Sequence, residues 1–427
     1  MLVAVQRGRE AVEGFAVESL YPCRAGLDVH EGSVVVCVRR LRSGGQVRKE
    51  VRRFGTTTAV LLTLLGWLLA VGVTHAAMES TGVYWKPLFN LPEGPLQIIV
   101  VNAQHLQKVP GRKTDVKDAE WIAELLQHGL LKASFVPPAP IRELRDLTRQ
   151  RTRLIAEKAA AANRIQKVLE DANIKLASVA TDILGESGRD MIRALIAGQT
   201  DPAALADLAR RRLRAEIPAL RPAPQGRVTD HHRFLLQLHL DHIEQSEALI
   251  SRLSVRIEEH LAPFAETLQR LQTIPGISQR MAETLAAEVG LDMTPFPSAA
   301  HLASWAGTCP GNDQSAGKRR SGRAPFGNRR LKQALVPAGW AASRTKDTYL
   351  RSQYQRLARR RGKKRAVSAV GHRLLRVVYH VLHRGSSYQD LGPDYPEQKQ
   401  SERLTRQSVR RLERLGHKVT LEKGGVA

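Results

Sequence analysis

An α/β domain with a mixed sheet, followed by a mainly helical region, is the fold that this sequence of 427 residues predicts. Three features predict it. Short apolar segments bounded by glycine and serine fill residues 25–54, then give way to alternating helical and strand-like segments up to residue 128. Pro137, Pro138 and Pro140 interrupt that pattern. Beyond them, apolar residues recur at helical spacing among many charges.

The elements follow in order. Ala25–His30 reads as a strand, apolar around one acid, Asp28. Ser33–Val38 is a second strand, and Ser43-Gly44-Gly45 makes the turn into a third, charged strand ending near Phe54. Thr56–Val71 is a helix with threonines at its start. Ala76–Ser80 and Leu96–Val101 supply a fourth and a fifth strand, and Asp115–His128 a second helix. A meander of strands followed by strand–helix alternation is the order of a ribonuclease-H-like fold. The most apolar stretch, Ala59–Val73, is shorter than the roughly 20 residues of a membrane span and predicts a buried helix. Met1–Tyr21 mixes Arg7, Arg9, Glu10, Glu13 and Glu18 without a long apolar run, which predicts no secretory signal and a cytoplasmic protein with no membrane partner.

From Ile141 the pattern is helical. Arg142, Arg145, Arg149 and Arg153 recur at spacings of three and four and share one face, with Leu144, Leu147, Leu154, Ile165, Val168 and Leu169 on the other. A second long helix spans Asp230–Leu261, with Phe234, Leu238, Ile243, Leu249, Leu253 and Ile257 as its expected seam. This predicts a helical hairpin or coiled-coil arm, for which dimerisation and a grip on nucleic acid are both open. Residues 264–390 read as a compact helical domain. Within it Thr273–Ser278 joins two helices in the manner of a DNA-binding helix-hairpin-helix, with an ordinary loop as the competing reading. Pro310–Asn328 holds six glycine or proline residues and predicts a loop. The expected organisation is therefore an extension (1–23), an α/β domain (24–138), a helical linker and dimerisation region (139–263), a C-terminal domain (264–390) and a basic tail (391–427).

Charge bounds the function. Lys plus Arg number 66 against 41 Asp plus Glu, a net charge of +25. An excess of this size implies a polyanionic partner, because each neutralised phosphate releases condensed counterions. The cysteines Cys23, Cys37 and Cys309 form no CxxC pair, which excludes a cysteine-only zinc finger and fits a reducing compartment.

Four acids form the first candidate site. Asp115 and Asp118 lie three apart in Lys113–Ala119, so on a helix they emerge on one face about 5–6 Å apart at Cβ. Carboxylates that close repel unless a cation lies between them, and Mg²⁺ takes oxygen ligands while keeping several waters. Two such ions about 3.5–4 Å apart can activate a nucleophile and stabilise a leaving oxygen in phosphoryl transfer. Asp28, in an apolar strand, and Glu79, at a strand end, are the natural further ligands, since a buried acid without a partner is costly. Each acid has a structural alternative: Asp115 as a helix N-cap in competition with Thr114, and Asp118 as a solvated acid paired with Lys113 or Lys117.

The second candidate is Pro310–Gly322, which is rich in glycine and strongly basic. Glycines let backbone amides approach a phosphate. Lys318, Arg319, Arg320 and Arg323 could hold that phosphate, and Arg329 and Arg330 follow close behind. Ser315 is the hydroxyl among them, a poor nucleophile until activated. On the residues alone, a phosphate-binding loop without covalent chemistry is the simpler account. The spacing is not that of a Walker loop. A patch of Asp230, His231, His232, His239, Asp241 and His242 could bind zinc but lacks a convincing four-ligand spacing.

The ordered set of segments is more specific than any of its parts. Gly26–His30, Glu79–Trp85, Lys113–Ala119 and Phe135–Pro138 are followed by Arg142–Arg149, Gly185–Met191, Ile274–Gly276, Pro310–Asn312 and Ser315–Arg320. Over roughly residues 24–390 the sequence resembles the DEDD transposases of the "IS one-ten" insertion-sequence family, which include relatives of the pilin-gene invertase. The resemblance implies a RuvC-like first domain with Asp28, Glu79, Asp115 and Asp118 as a tetrad binding Mg²⁺, and Ser315 as a nucleophilic serine. It further implies donor and target DNA as substrates, a structured bridge RNA as guide, and a homodimer or homotetramer that completes each active site with two subunits. Two other functions stay open on the residues alone: a RuvC-like structure-selective nuclease that uses water, and a non-catalytic nucleic-acid-binding protein.

Overall fold

The structure, a computed structural model, describes residues 20–42, 46–80, 82–91, 96–102, 106, 114–180, 182–224, 226–311 and 313–421. The first 19 residues of the expected extension, the turn Ser43-Gly44-Gly45, Lys113 and Asn312 lie outside that set. The chain forms two compact units that meet in sequence at Val136 and Pro137. The first is α/β and the second almost wholly helical, the class that the sequence predicts.

The first unit is built on five strands: β1 (Cys23–Val29), β2 (Ser33–Leu41), β3 (Val47–Gly55), β4 (His75–Glu79) and β5 (Gln97–Val101). Their order is β3-β2-β1-β4-β5. The first three pair antiparallel, and β4 and β5 continue the sheet parallel to β1. Successive side chains of a strand face opposite sides, so each strand splits into two sets. On one side Leu27, Val34, Val36, Ala76 and Met78 pack against Leu61, Leu64 and Leu68 of α1 (Thr58–Ala70) and Leu88 of α2 (Trp85–Asn90). The expected buried helix buries Leu61, Leu64 and Leu68 on one face, with Leu62 and Leu69 exposed on the other. A helix lying on a single sheet has only one face to cover.

The other side of the sheet receives α3 (Asp115–Gln127). Ala119 and Ala123 meet Val35 and Cys37, while Ile122 and Leu126 meet Ala77 and Val101. The alternate residues Arg24, Gly26 and Asp28 face this helix from β1. A Cβ on Gly26 would fall 2.2 Å from the Ala119 carbonyl oxygen and 2.4 Å from the Ala123 amide nitrogen. Strand and helix backbones therefore touch. At the C-terminal end of α3, buried Arg24 donates to Gln127 Oε1, and Arg39 donates to Gln127 Oε1 and Glu124 Oε2 at 3.3 Å each. Cations there complement the negative end of the helix dipole.

The second unit begins with α4 (Ala139–Asp171) and contains α5 (Leu176–Val179), α6 (Glu186–Ile196), α7 (Pro202–Asp207), α8 (Ile217–Leu220) and α9 (Asp230–Leu261). The helices α4 and α9 run antiparallel. Asp171 pairs with His232 at 2.9 Å, Lys158 with Glu247 at 2.6 Å, and Arg151 reaches Ser254 at 3.5 Å. Arg189 of α6 donates twice to Glu247, at 2.6 and 2.9 Å. The seam of α9 is not the expected one. Leu236, Leu240, Ile243, Ser246, Ile250, Ile257 and Leu261 are buried, while Phe234 is 65% exposed, Leu238 51% and Leu249 43%. Of the expected seam residues, Ile243 and Ile257 are buried and Leu253 is half-buried. Apolar residues encircle the start of α9, so periodicity offers two stripes, and the cluster with Ile165, Leu169, Ile192 and Leu205 selects one.

The chain continues with α10 (Ala265–Gln272), α11 (Gln279–Val289), α12 (Ala299–Trp305), a hairpin of β6 (Asp313–Ser315) and β7 (Lys318–Ser321), and α13 (Arg329–Arg344). The last elements are α14 (Tyr349–Arg361), α15 (Lys363–Arg384) and α16 (Tyr395–Arg414). The turn suggestive of a helix-hairpin-helix packs inward. Gly276 has φ +87°, and a Cβ there would fall 2.4 Å from the Ala338 carbonyl oxygen of α13. The expected loop at 310–328 contains the β6–β7 hairpin.

Two predictions follow from this packing. Replacement of Gly26 by Ala forces α3 off the sheet, and urea unfolding is expected to show a loss of about 3 kcal/mol, the upper range for overpacking. The hydrogen bonds of Arg189, aided by Lys158, hold the Glu247 carboxyl down to about 2 from its ordinary 4.5. Its contribution is complete above pH 4.5 and is lost as the pH falls towards about 2. In Glu247→Gln, urea midpoints measured across that window are expected to fall less steeply than in the parent protein.

Candidate active site

The carboxyl end of the sheet gathers the acidic residues. Asp28 lies next to the end of β1 and faces α3, as does Glu79 at the end of β4 (two residues beyond Ala77). Pairing of β1 with β4 runs to Leu27 and Met78, so Asp28 and Glu79 are the next residues on strands about 4.8 Å apart. Asp115 and Asp118 occupy the first turn of α3, brought to the strand by the contact at Gly26. Thr114, not Asp115, is the N-cap, accepting from the Lys117 amide at 3.3 Å. The first turn is thereby left with two carboxylates that do not serve as caps.

The electrostatics are those of a crowded acidic site. Burial pushes the Asp28 carboxyl above its usual range; His30 opposes this, and the charges of Asp118 and Asp115 add to it. His30 Nε2 lies 3.1 Å from Asp28 Oδ2 and 3.7 Å from Asp115 Oδ1. Arg53 of β3 donates to Asp115 Oδ2 at 3.0 Å. Asp28, His30 and Asp115 place their ligand atoms within 4.8 Å of one another. A buried carboxylate under the charge of two others, with an imidazole beside it, fits a divalent cation. Periodicity alone carried no role for His30, although it follows Asp28 by two residues, just beyond the end of β1. Arg53 had no signal at all, since it lies 62 residues from Asp115.

Ser315 ends β6 and pairs with Lys318 across a two-residue turn. Ala316 (φ +47°) and Gly317 (φ +76°) both adopt left-handed conformations, as the tightest hairpins demand. A non-glycine residue there carries strain of order 1–3 kcal/mol next to the serine. The hairpin is clamped at its base. A Cβ on Gly311 would fall 2.1 Å from the Arg323 oxygen, and one on Gly327 2.4 Å from the Gly307 nitrogen. Lys332 Nζ donates to the Pro325 oxygen at 3.1 Å. The Ser315 side chain is exposed, with exposed Lys318, Arg320 and Arg323 nearby in sequence; Arg329 and Arg330 are exposed in the first turn of α13. Arg319 lies in β7, its side chain outside the described set.

Three arginines expected on a nucleic-acid face are engaged inside the helical unit. Arg149 donates to both carboxylate oxygens of Glu288 at 2.7 and 2.8 Å, and Arg145 to the Ala287 and Glu288 carbonyls at 3.0 and 2.8 Å. Arg142 donates to the Pro137 carbonyl at 2.9 Å. Glu288, 1% exposed in its side chain, also accepts from Asn328 Nδ2 at 2.7 Å, and Asn328 Oδ1 caps α13. Burial raises the Glu288 pKa, but these hydrogen bonds and the charges of Arg149 and Arg145 leave it below the usual range. Neither Glu288 nor Asn328 carried a sequence signal. The proposed zinc patch has other roles: His232 completes the capping box of α9 and pairs with Asp171, and Asp230 pairs with Arg233. It is not among the groups of close ligand atoms found in the described residues.

A mixed sheet with carboxylates clustered at the carboxyl end of its central strands, in a chain that matches the DEDD transposase family model, defines a DNA-processing enzyme of the DEDD transposase type. The family model for DEDD transposases of IS110 elements matches residues 25–174, and that of the "Transposase IS116/IS110/IS902 family" matches residues 268–355. A Streptomyces coelicolor protein named "Insertion element IS110 uncharacterized 43.6 kDa protein" is 30% identical over 66% of this chain and 74% of its own length. A Pseudomonas aeruginosa protein named "Probable family 20 transposase" is 28% identical over 85% of this chain and 94% of its own. The chain belongs to the IS110 family of insertion-sequence transposases. No described helix is long and apolar enough to cross a membrane.

The raised pKa of Asp28 means that its carboxyl favours folding below its ordinary value of 3.8 and opposes it once the pH has risen through the raised value. Asp28→Asn is therefore expected to raise the melting temperature of the metal-free protein at neutral pH. A divalent cation bound there, at roughly 100 times its Kd, would stabilise the parent by about 2.7 kcal/mol. That increment is expected to vanish in the variant, as read by thermal melting with and without divalent cation.

Proposed function

We propose that this transposase cuts and rejoins DNA with a serine nucleophile and a metal-binding tetrad, guided by a structured RNA. The reading rests most on one observation, the convergence of Asp28 with Asp115 and Asp118 at the start of α3 in a chain of this family. The strand order of the first unit further supports a ribonuclease-H-like, RuvC-type domain over residues 24–138. Residues 139–263 would then serve as the helical arm and 264–390 as the serine domain.

Asp28, Glu79, Asp115 and Asp118 would hold the divalent cation, with Mg²⁺ favoured by their oxygen donors. Bound there, Mg²⁺ would supply Lewis-acid stabilisation of charge on the phosphate and its leaving oxygen. His30 orients the Asp28 carboxylate, and Arg53 neutralises Asp115.

Ser315 Oγ attacks a DNA phosphorus. A phosphorus–oxygen bond to serine forms, the bond to one deoxyribose oxygen breaks, and that oxygen leaves as a hydroxyl carrying the proton lost by the serine. The clamped hairpin limits where the hydroxyl can go, which favours an in-line geometry. Lys318, Arg319, Arg320 and Arg323 hold the phosphate in this scheme, with Arg329 and Arg330 on the flanking backbone. Pairing of donor and target DNA with a bridge RNA supplies the sequence choice, and assembly into a homodimer or homotetramer completes the sites.

Adduct trapping tests the reading. Purified protein, the RNA encoded beside its gene, Mg²⁺ and end-labelled donor DNA are mixed, denatured and resolved, and any shifted band is analysed by mass spectrometry. The expected result is a DNA adduct on Ser315 that is lost in Ser315→Ala and Asp118→Ala. Cleavage that persists in Ser315→Ala without an adduct would establish a water-using nuclease instead. RNA and DNA binding that survives tetrad substitution, with neither adduct nor cleavage, would point to a binding protein.

A further inference from the structure

The basic charge of this chain is concentrated. From Gln314 to Gln389 there are 20 Lys and Arg and one acid, Asp347. Its net contribution of +19 accounts for most of the +25 of the whole chain. Charge this one-sided cannot be neutralised from within its own segment.

Part of it lines a groove. A cavity of about 700 Å³ is bounded by Pro310, Gly322 and Arg323 beside the serine hairpin, by Arg361 at the end of α14 and by Arg365 at the start of α15. Among the described residues, no carboxylate lines it. Among the described residues, none of the guanidiniums of Arg323, Arg361 and Arg365 has an ion-pair partner. The tight contact between Gly311 and the Arg323 backbone fixes the hairpin wall.

The junction of the two helices adds to this. Gly362, at φ +80°, ends α14 and starts α15 without a side-chain cap. Lys363, Lys364 and Arg365 fill the first turn of α15, the positive end of the helix dipole, where acids are normally favoured. Cations placed there repel the dipole and one another unless an anion lies among them. Leu357 and Ala369 complete the lining, and among the described residues Arg323, Arg361 and Arg365 are its charged groups.

We propose that this groove is a track for the DNA phosphate backbone, with Arg361 and Arg365 holding phosphates of the strand that passes the Ser315 hairpin. The inference deepens the reading above and rests on it for the occupant: the wall that carries Arg323 belongs to the segment that would hold the attacked phosphate. Contacts to phosphate position a strand without reading its sequence, so any duplex serves as a probe.

The test is a salt titration of binding to labelled duplex DNA, without RNA or Mg²⁺, using the full chain and its Arg361→Gln/Arg365→Gln variant in a Ser315→Ala background. Loss of two phosphate contacts lowers the magnitude of the slope of log K against log salt by about 2. Each single variant is expected to lower it by about 1. Thermal melting verifies that the variants remain folded, and the single variants carry the test if the double one does not. An Arg410→Gln/Arg411→Gln variant in α16 controls for net charge. An unchanged slope, or an equal fall in the control, overturns the proposal. So does a fall confined to a structured RNA probe, which would assign the groove to RNA. Because the chemistry is silenced throughout, failure to trap a serine adduct leaves this result intact.

Discussion

The contact between β1 and α3 at Gly26 is the constraint on which the acidic site depends. A strand and a helix normally keep a layer of side chains between them. Here the Ala119 carbonyl lies where a Cβ of residue 26 would stand. Everything at that end of the sheet follows from the lost layer. The first turn of α3 comes down beside Asp28, and a carboxylate on the strand meets carboxylates on the helix. The same register puts Arg24 and Arg39 against Gln127 and Glu124 at the other end of α3. One face of two adjacent strands thus places cations at the negative end of the helix and an acid at its positive end, both favoured by the dipole.

The second unit divides its arginines into two kinds. Three of α4 are internal ties: Arg151 donates to buried Glu283 at 2.5 Å, and Arg145 and Arg149 hold α11 at Glu288. Such buried pairs cost desolvation and are weak evidence for stability, yet losing one partner strands a charge. Glu288 carries a further consequence, because Asn328 links it to the start of α13 just after the serine hairpin. Among the described side chains, the arginines from Arg320 to Arg384 form no ion pair with an acid. The first kind builds the scaffold, and the second leaves a field for a polyanion.

The serine hairpin combines rigidity at its base with strain at its tip. Glycines 307, 311 and 327 allow backbone to pass against backbone, while Ala316 accepts a left-handed conformation. Strain of this sort persists only where the surroundings over-determine it. The effect is a hydroxyl carried on a short, fixed support, in a segment whose glycine content read as a loop. The glycines serve close approach, which composition cannot distinguish from freedom.

The sequence by itself determined the class of the fold, the strand meander, the span of α9, and the acids Asp28, Asp115 and Asp118 as a group, because these depend on local periodicity and on the chemical rarity of an acid in an apolar strand. It also determined the excess of positive charge and, through an ordered set of motifs, the family. Tertiary structure alone decided which apolar stripe of α9 is buried, that Arg145 and Arg149 face Glu288, and that His30 and Arg53 join the acids. It also decided that Gly276 and Gly311 are points of contact. In most of these cases the deciding partner lies elsewhere in the chain, from 12 residues away for Gly311 to 143 for Arg145. Local pattern limits what a side chain can do, and the packing of distant elements selects what it does.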